Sequence, residues 1–301
     1  MDWNSAQALD ALRGSDLLDL GMSANQVRRN LHPEPVVTYE LCGPAASLDD
    51  LAGEAVLHVG KTVNLAQVRD IEHNTLDALK ALLVAQRKRL PEVTFHHLPV
   101  SWMKGPESIL AFTEALPDLQ STGLRSISLD FDPASSFVSY GELPRLLRAA
   151  AACSLLVSVS IAIGNAELLE QRIGILQMLR DLQQDSHSIQ AARIRVHHAA
   201  SPEARREEEA TAVDYLRTLA VTRIFLDNVE HLQTDWSVMG PKVLELALRF
   251  GADDAGAVPW SQAGNPEPSH HGGESELRRI IRDAGFRPVE RDALFRQSLL
   301  H

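Results

Sequence analysis

The sequence predicts an α/β protein whose parallel strands form a TIM-like (β/α)8 barrel or part of one. Short apolar or β-branched runs alternate along the chain with amphipathic stretches that end at Gly or Pro. Strands that alternate with helices pair in parallel, and about eight such units make a barrel. The chain has 301 residues, a length that a barrel fills as one domain.

The first half of the chain carries four predicted strands, each followed by a predicted helix. The strands are expected at 36–41, 62–68, 93–100 and 124–131. The helices are expected at 47–60, 74–91, within 106–122 and at 140–154. Ser47 is a suitable N-cap for its helix, whereas Gly60 and Pro91 are typical helix ends.

The second half of the chain repeats the same alternation. Strands are expected at 155–164, 192–198, 230–236 and 253–258. Helices are expected at 166–184, 211–225, 241–251 and 275–285, and a tail at 286–295. Val213, Leu216 and Leu219 share one face of the 211–225 helix, as in a helix that packs on a sheet.

The predicted organisation is a single barrel domain over residues 1–301. It includes an N-terminal helical extension over about 1–33 and a mobile Gly/Pro/His-rich loop over about 261–274. The net charge of −11 disfavours binding to nucleic acid or to anionic membranes, and no apolar run approaches membrane length. The N-terminal stretch does not have the pattern of a signal peptide, so we expect a cytoplasmic protein.

Polar residues at the predicted carboxyl ends of the strands are candidate site residues, because barrel enzymes work at that end. Asp130 and Asp132 share a strand face and are candidates for general acid and base, although an Asp before Pro is also a common turn former. A metal held by His96 or His97 with His197 or His198 is a weaker alternative, because polar filling at strand ends is the more common role of such histidines. No nucleophile or phosphate-loop motif occurs in the sequence.

The run DYLRTLAVTRIFLDNVEHLQTDWSVMGPKVLELALRFGADDAGAV at 214–258 resembles a block of the radical SAM enzymes of the futalosine route to menaquinone. Dehypoxanthine futalosine cyclase is the most similar of these enzymes, and aminodeoxyfutalosine synthase and the deazaflavin-forming synthases are related. The resemblance extends to LLDLGMSANQVRRNLHPEPVVTYEL near the start and ELRRIIRDAGFRPVERDALF near the end. It implies a radical SAM barrel over nearly the whole chain. The segment Gly164–Asn165–Ala166–Glu167 matches the family's Gly-x-x-Glu, which implies a place near a nucleotide.

The chain departs from the family at the cysteines that bind the iron–sulfur cluster. After its first strand the family carries CxxxCxxC, whose thiolates hold an iron–sulfur cluster. Here Cys42 stands alone, followed almost at once by the next predicted helix, and Cys153 is the only other cysteine. The family's glycines after its second and fourth strands are also missing. We therefore expect no cofactor, no iron–sulfur cluster and no radical chemistry, and the missing glycines argue against binding of S-adenosylmethionine.

Two classes of function follow from this resemblance. The first is a non-catalytic paralogue in menaquinone biosynthesis, which pairs with a cluster-bearing family member or with itself, or holds a nucleoside-like small molecule. Its expected ligand-binding residues are Gln233, Asp235, Trp236, Asp253, Asp254, Gly164 and Glu167. The second is an enzyme with new acid–base or metal-assisted chemistry in the same barrel mouth. A third reading is that the 214–258 block only packs the barrel.

Overall fold

A computed structural model shows the architecture of the chain. It describes residues 3–14, 16–42, 62–68, 75–100, 106–131, 141–164, 168–196, 209–234, 239–259 and 273–297. The predicted helix at 47–60 and almost all of the predicted loop at 261–274 lie outside these residues.

Within the described residues, strands alternate with helices as the sequence predicts. The strands are β1 (Val36–Cys42), β2 (Thr62–Asn64), β3 (Thr94–His96), β4 (Leu98–Pro99), β5 (Ser126–Phe131), β6 (Leu156–Ile163), β7 (Ile189–Val196), β8 (His231–Gln233), β9 (Asp254–Pro259) and β10 (Arg287–Arg291). The helices are α1 (Ser5–Gly14), α2 (Leu17–Leu31), α3 (Leu76–Arg89), α4 (Pro106–Ser121), α5 (Leu143–Ala152), α6 (Leu169–Ser186), α7 (Ala212–Phe225), α8 (Pro241–Arg249) and α9 (Glu274–Asp283).

The strand order is that of a barrel opened at one seam. One parallel sheet has the order β10-β1-β9-β8-β7-β6-β5-β4, and β2 pairs in parallel with β3. Phe95 of β3 forms a parallel bridge with Leu124, just before β5. The strands therefore follow one another in chain order until β9, where the sheet returns to β1. This order confirms the predicted α/β fold of the partial-barrel type.

Two strand predictions need correction. The predicted tail at 286–295 contains β10, which pairs in parallel with β1 from Val36↔Arg287 to Glu40↔Arg291. Its sequence RPVER has one aliphatic residue, so the alternation that marks a strand is weak. The predicted strand at 93–100 is broken at His97, whose φ of 55° interrupts the extended backbone between β3 and β4.

The helices cover the outer face of the sheet. Val157, Val159 and Ile161 of β6 are buried in one core with helical residues such as Leu147 and Leu176. The N-terminal helices belong to the same core: α1 packs on α6 and α7, and α2 packs on α7 and α8. Within the part of the chain that the structure covers, no helix is long and apolar enough to cross a membrane.

Gly251 follows the C-cap of helix α8, at a place where the fold has no room for a side chain. Gly251 has a φ of +103°, a conformation that L-residues rarely adopt. An added Cβ would lie 2.8 Å from Cγ of Arg223 and 3.1 Å from Cβ of Ala24. The glycine therefore lets α8, α7 and α2 approach one another.

We expect Gly251→Ala to lower the free energy of unfolding by about 1–3 kcal/mol, because it combines backbone strain with overpacking. Urea denaturation measures this change. Gly174→Ala is the control, since Gly174 lies in α6 with nothing within 4 Å of an added Cβ. The control should be neutral or slightly stabilising. An equal loss in both variants would contradict the close packing at Gly251.

Candidate functional site

A continuous row of polar side chains crosses the inner face of the sheet. Register partners in neighbouring parallel strands point to the same side. Successive register pairs join the six residues of this polar row: Asp130, Ser160, Arg193, Gln233, Asp254 and Thr38. Alternate residues such as Leu129, Val159 and Ile194 point the other way, into the core beneath the helices. The polar row therefore faces the interior of the partial barrel.

Several side chains on the inner face are accessible to solvent. Asp130, Ser158, Arg193 and Gln233 are only half-buried, although their strands lie between other strands of the sheet. In a barrel packed like an ordinary core, inward-pointing side chains form closed apolar layers. Here they are polar and partly accessible, which is the lining of a binding space.

At one side of the inner face, Arg291 of β10 binds two carboxylates, those of Asp254 and Glu40. Its Nε and Nη2 donate to the two oxygens of Asp254 at 2.5 and 3.0 Å, and its Nη1 donates to Glu40 at 3.2 Å. Thr38 Oγ1 and the amide of Gly256 also donate to Asp254, at 2.6 and 2.7 Å. Asp254 is fully buried and its oxygens are occupied. We therefore assign Asp254 a structural role in holding Arg291, in place of the expected hydrogen bonds to a ligand.

Glu40 and His97 form a pair with opposite pKa shifts. Glu40 Oε2 lies 3.8 Å from Nε2 of His97, and both side chains are nearly buried. Burial raises the pKa of the Glu40 carboxyl, and Arg291 only partly offsets this. Burial, reinforced by Arg291, lowers the pKa of the His97 imidazole to about 3. The imidazole is therefore neutral at physiological pH.

His96 is not part of the Glu40–His97 pair. Its Nε2 lies 3.0 Å from the Thr94 hydroxyl, and its Nδ1 is buried without a hydrogen-bond partner among the described residues. Burial lowers the pKa of His96 to about 4, although the charge of Asp292 opposes the shift. The predicted metal ligands His197 and His198 lie outside the described residues.

Asp253 lies at the opposite end of the strands from the expected site. It precedes β9 and forms a buried ion pair with Nη2 of Arg223. Its other oxygen lies 2.7 Å from Nδ1 of His231, the first residue of β8. Burial alone would raise the pKa of Asp253, but Arg223 and the His231 hydrogen bond outweigh it and lower the pKa to about 2. We assign Asp253 a structural role at the amino end of the sheet.

The cluster of His32, His231 and Asp253 has the residue types of a metal site, but Arg223 already balances its negative charge. In the described part of the chain, ligand atoms of His32, His231 and Asp253 lie within 4.8 Å of one another. His32 Nε2 is 2.9 Å from the carbonyl oxygen of Glu230, and Arg223 already neutralises the carboxylate. A divalent cation would meet a buried guanidinium there, so the residues do not fit a metal.

The remaining predicted site residues fall into two groups. Gly164 ends β6 in an antiparallel bridge with Glu209, and its carbonyl accepts a 3.5 Å hydrogen bond from Arg172. The others follow strand ends and lie outside the described residues: Asp132, Glu167, Asp235 and Trp236. The structure thus brings Asp130, Gln233 and Asp254 into one row and leaves Asp253 apart.

Arg193, Ser160 and Arg291 are inner-face residues that the sequence did not single out. The strand holding Arg193 was expected to begin at 192 but begins at Ile189, so Arg193 lies in its middle. The alternation of Ser158 and Ser160 with valine and isoleucine in β6 is a signal that could have identified the polar face. Arg291 was hidden because β10 was not predicted.

The thiolates of this chain do not fit an iron–sulfur cluster of the family's kind. Cys42 ends β1 at the carboxyl end of the sheet. Cys153 follows α5 and precedes β6, so it lies at the amino end and on the helical layer. These are the only two cysteines of the chain, and one cysteine at the relevant end cannot supply three thiolates.

The Asp253 ion pair makes the stability of the fold depend on acid pH. Its pKa lies below the ordinary value of 3.8, so its contribution is present above about pH 4 and is lost as the pH falls towards 2. Asp253→Asn should lower the free energy of unfolding at pH 7 by about 3–5 kcal/mol, because Arg223 is left buried without its partner. Chemical denaturation over pH 2–7 measures the difference from the native protein.

The difference between the native protein and Asp253→Asn should shrink by about 2 kcal/mol between pH 4 and pH 2. Asp185→Asn is the control, because Asp185 is exposed on α6. This variant should match the native protein at every pH. A difference for Asp253→Asn that does not change with pH would contradict the assigned ion pair.

Sequence comparisons relate this chain to several curated enzymes. Residues 176–299 match the profile of the CofH/MqnC C-terminal region. Cyclic dehypoxanthine futalosine synthase of Streptomyces coelicolor is 24% identical over 340 residues, which cover 98% of this chain and 85% of that enzyme. Aminodeoxyfutalosine synthase of Thermus thermophilus is 33% identical over 146 residues, which cover 44% of this chain and 38% of that enzyme.

Solved structures share the fold of this chain at low sequence identity. Methylornithine synthase (PylB) has a TM-score of 0.65 at 12% identity and aligns over 97% of this chain and 95% of its own. The FeFe-hydrogenase maturase HydG from Carboxydothermus hydrogenoformans has a TM-score of 0.64 at 12% identity, over 95% and 76% of the two chains. Over nearly its whole length the chain resembles the radical SAM enzymes of the futalosine pathway, and its C-terminal part matches the CofH/MqnC C-terminal region. Its two cysteines are too few to supply three cluster-binding thiolates.

Proposed function

We propose that this protein is a cluster-less paralogue in menaquinone biosynthesis by the futalosine pathway. In this proposal it performs no radical chemistry and acts as an accessory or partner protein that holds a nucleoside-like small molecule. The observation that carries the proposal is the combination of a single cysteine at the carboxyl end of the sheet with a polar, partly accessible inner face.

The polar row supports a small polar ligand. Gln233 offers an amide whose oxygen and nitrogen make no hydrogen bond to another described residue. Such an amide can both donate to and accept from a ligand's hydroxyl or base. Trp236 and Asp235 follow β8 closely in the sequence, and we propose them as further ligand contacts, with the indole stacking on a ring.

The ligand proposal is tested by native mass spectrometry of the protein purified gently from its own host. We expect one molecule of nucleoside or naphthoquinone-precursor mass per chain. Gln233→Ala should weaken its retention roughly tenfold, because one ligand hydrogen bond is lost. Gln184→Ala, an exposed position on α6, is the matched control and should retain the ligand.

Other outcomes of the same measurement are equally informative. A chain that carries no ligand but arrives with a cluster-containing second chain would remove the ligand role and leave the partner role. A chain without ligand or partner would contradict both. Retention that is equal in the two glutamine variants would contradict the place of Gln233 in the site.

A second candidate function is proton-transfer catalysis in the same interior. It is favoured by Glu40 and His97, whose pKa values are shifted in opposite directions at a 3.8 Å separation. A carboxyl group with a raised pKa beside a neutral imidazole is suited to exchanging a proton with a bound molecule. In deuterium oxide this function would appear as uptake of deuterium at a carbon of an added ligand, lost in Glu40→Gln.

A further inference from the structure

Three neighbouring residues of the polar row have polar groups that make no hydrogen bond to a described side chain. Ser160, Arg193 and Gln233 are consecutive register partners on β6, β7 and β8, whose backbones run about 4.8 Å apart. The Ser160 hydroxyl is buried, and the residue is only 6% exposed, yet it has no hydrogen-bond partner. A buried unpaired hydroxyl is costly unless a bound molecule satisfies it.

Arg193 lies between the two and has no counter-ion. Its guanidinium makes no hydrogen bond or ion pair with any described residue. Two acidic residues of the row lie two register positions from Arg193: Asp130, which is half-buried, and Asp254, which like Glu40 binds Arg291. The charge of Arg193 makes a small contribution to the lowered pKa of His97. A half-buried cation without a partner attracts an anion.

We infer that Ser160, Arg193 and Gln233 form an anion subsite that binds a carboxylate of the ligand. This inference rests on the proposed ligand-binding function and specifies the ligand's chemical class. A guanidinium fork matches the two oxygens of a carboxylate, and the flanking hydroxyl and amide donate to the same oxygens. One uncompensated positive charge matches a monoanionic carboxylate better than a dianionic phosphate.

Three matched nucleosides test the subsite: adenosine 5′-carboxylate, adenosine 5′-carboxamide and adenosine 5′-monophosphate. Titration calorimetry gives their affinities for the native protein, Arg193→Gln, Arg193→Lys and the control Arg249→Gln. Arg249 is an exposed arginine at the end of α8. The native protein and the control should prefer the carboxylate over the carboxamide by about tenfold to a hundredfold.

Arg193→Gln should abolish this preference and leave the carboxamide affinity unchanged. Arg193→Lys should keep part of the preference, because the charge remains but the fork is lost. Equal affinity for carboxylate and carboxamide, or a preference that survives in Arg193→Gln, would overturn the subsite. Tighter binding of the monophosphate through Arg193 would overturn the carboxylate assignment.

If no nucleoside binds, the proposal that the ligand is a nucleoside is wrong. Chemical modification of arginine then tests the anion subsite separately. Phenylglyoxal modifies accessible arginines, and peptide mapping follows the modification of each one. Sodium acetate should slow the modification of Arg193 but not that of Arg249. Equal rates at Arg193 with and without acetate would overturn the anion subsite itself.

Discussion

The guanidinium of Arg291 is held by carboxylates from two other strands, and the charge of the inner face depends on this interaction. Arg291 belongs to β10, Asp254 to β9, and Glu40 and Thr38 to β1. Removing charges from water is costly, and the cost is repaid only where the geometry is good and the remaining hydrogen bonds are satisfied. Here Asp254 accepts four hydrogen bonds, so the network fixes three strands beside the seam of the barrel.

This network explains why neighbouring residues have different roles. Both oxygens of Asp254 accept hydrogen bonds within the network. Burial raises the pKa of Glu40, and the charge of Arg291 offsets only part of this increase. The network also leaves Arg193 as the cation whose charge is not matched within the described interior. The aromatic ring of Phe295 extends the network. Its centre lies 3.9 Å from Cζ of Arg291, and it stacks on the His231 ring with 4.1 Å between the ring centres. The tail after β10 thus joins the inner face to the structural cluster at the amino end of the sheet.

The fold was predictable because its signals are local and repeated. Apolar strands such as β5 and β6, and amphipathic helices such as α9, are visible in the sequence, and the family block at 214–258 adds the topology. The polar row was only partly predictable from the sequence. A shift of the pairing register by one residue exchanges the two faces of a strand, and the register is not visible in the sequence. Asp253 and Asp254 are adjacent in sequence, yet one lies in the cluster at the amino end and the other on the inner face. Only the register separates their roles.

We infer that this barrel has a polar interior but too few cysteines to hold the iron–sulfur cluster of its relatives. The most direct test is anaerobic reconstitution with iron and sulfide, followed by measurement of bound iron and sulfide and of the visible absorption. A cluster-bearing relative treated in parallel is the positive control. We expect no stoichiometric iron in this protein and no change on Cys42→Ala. A stable cluster in each chain, lost in Cys42→Ala, would contradict this inference.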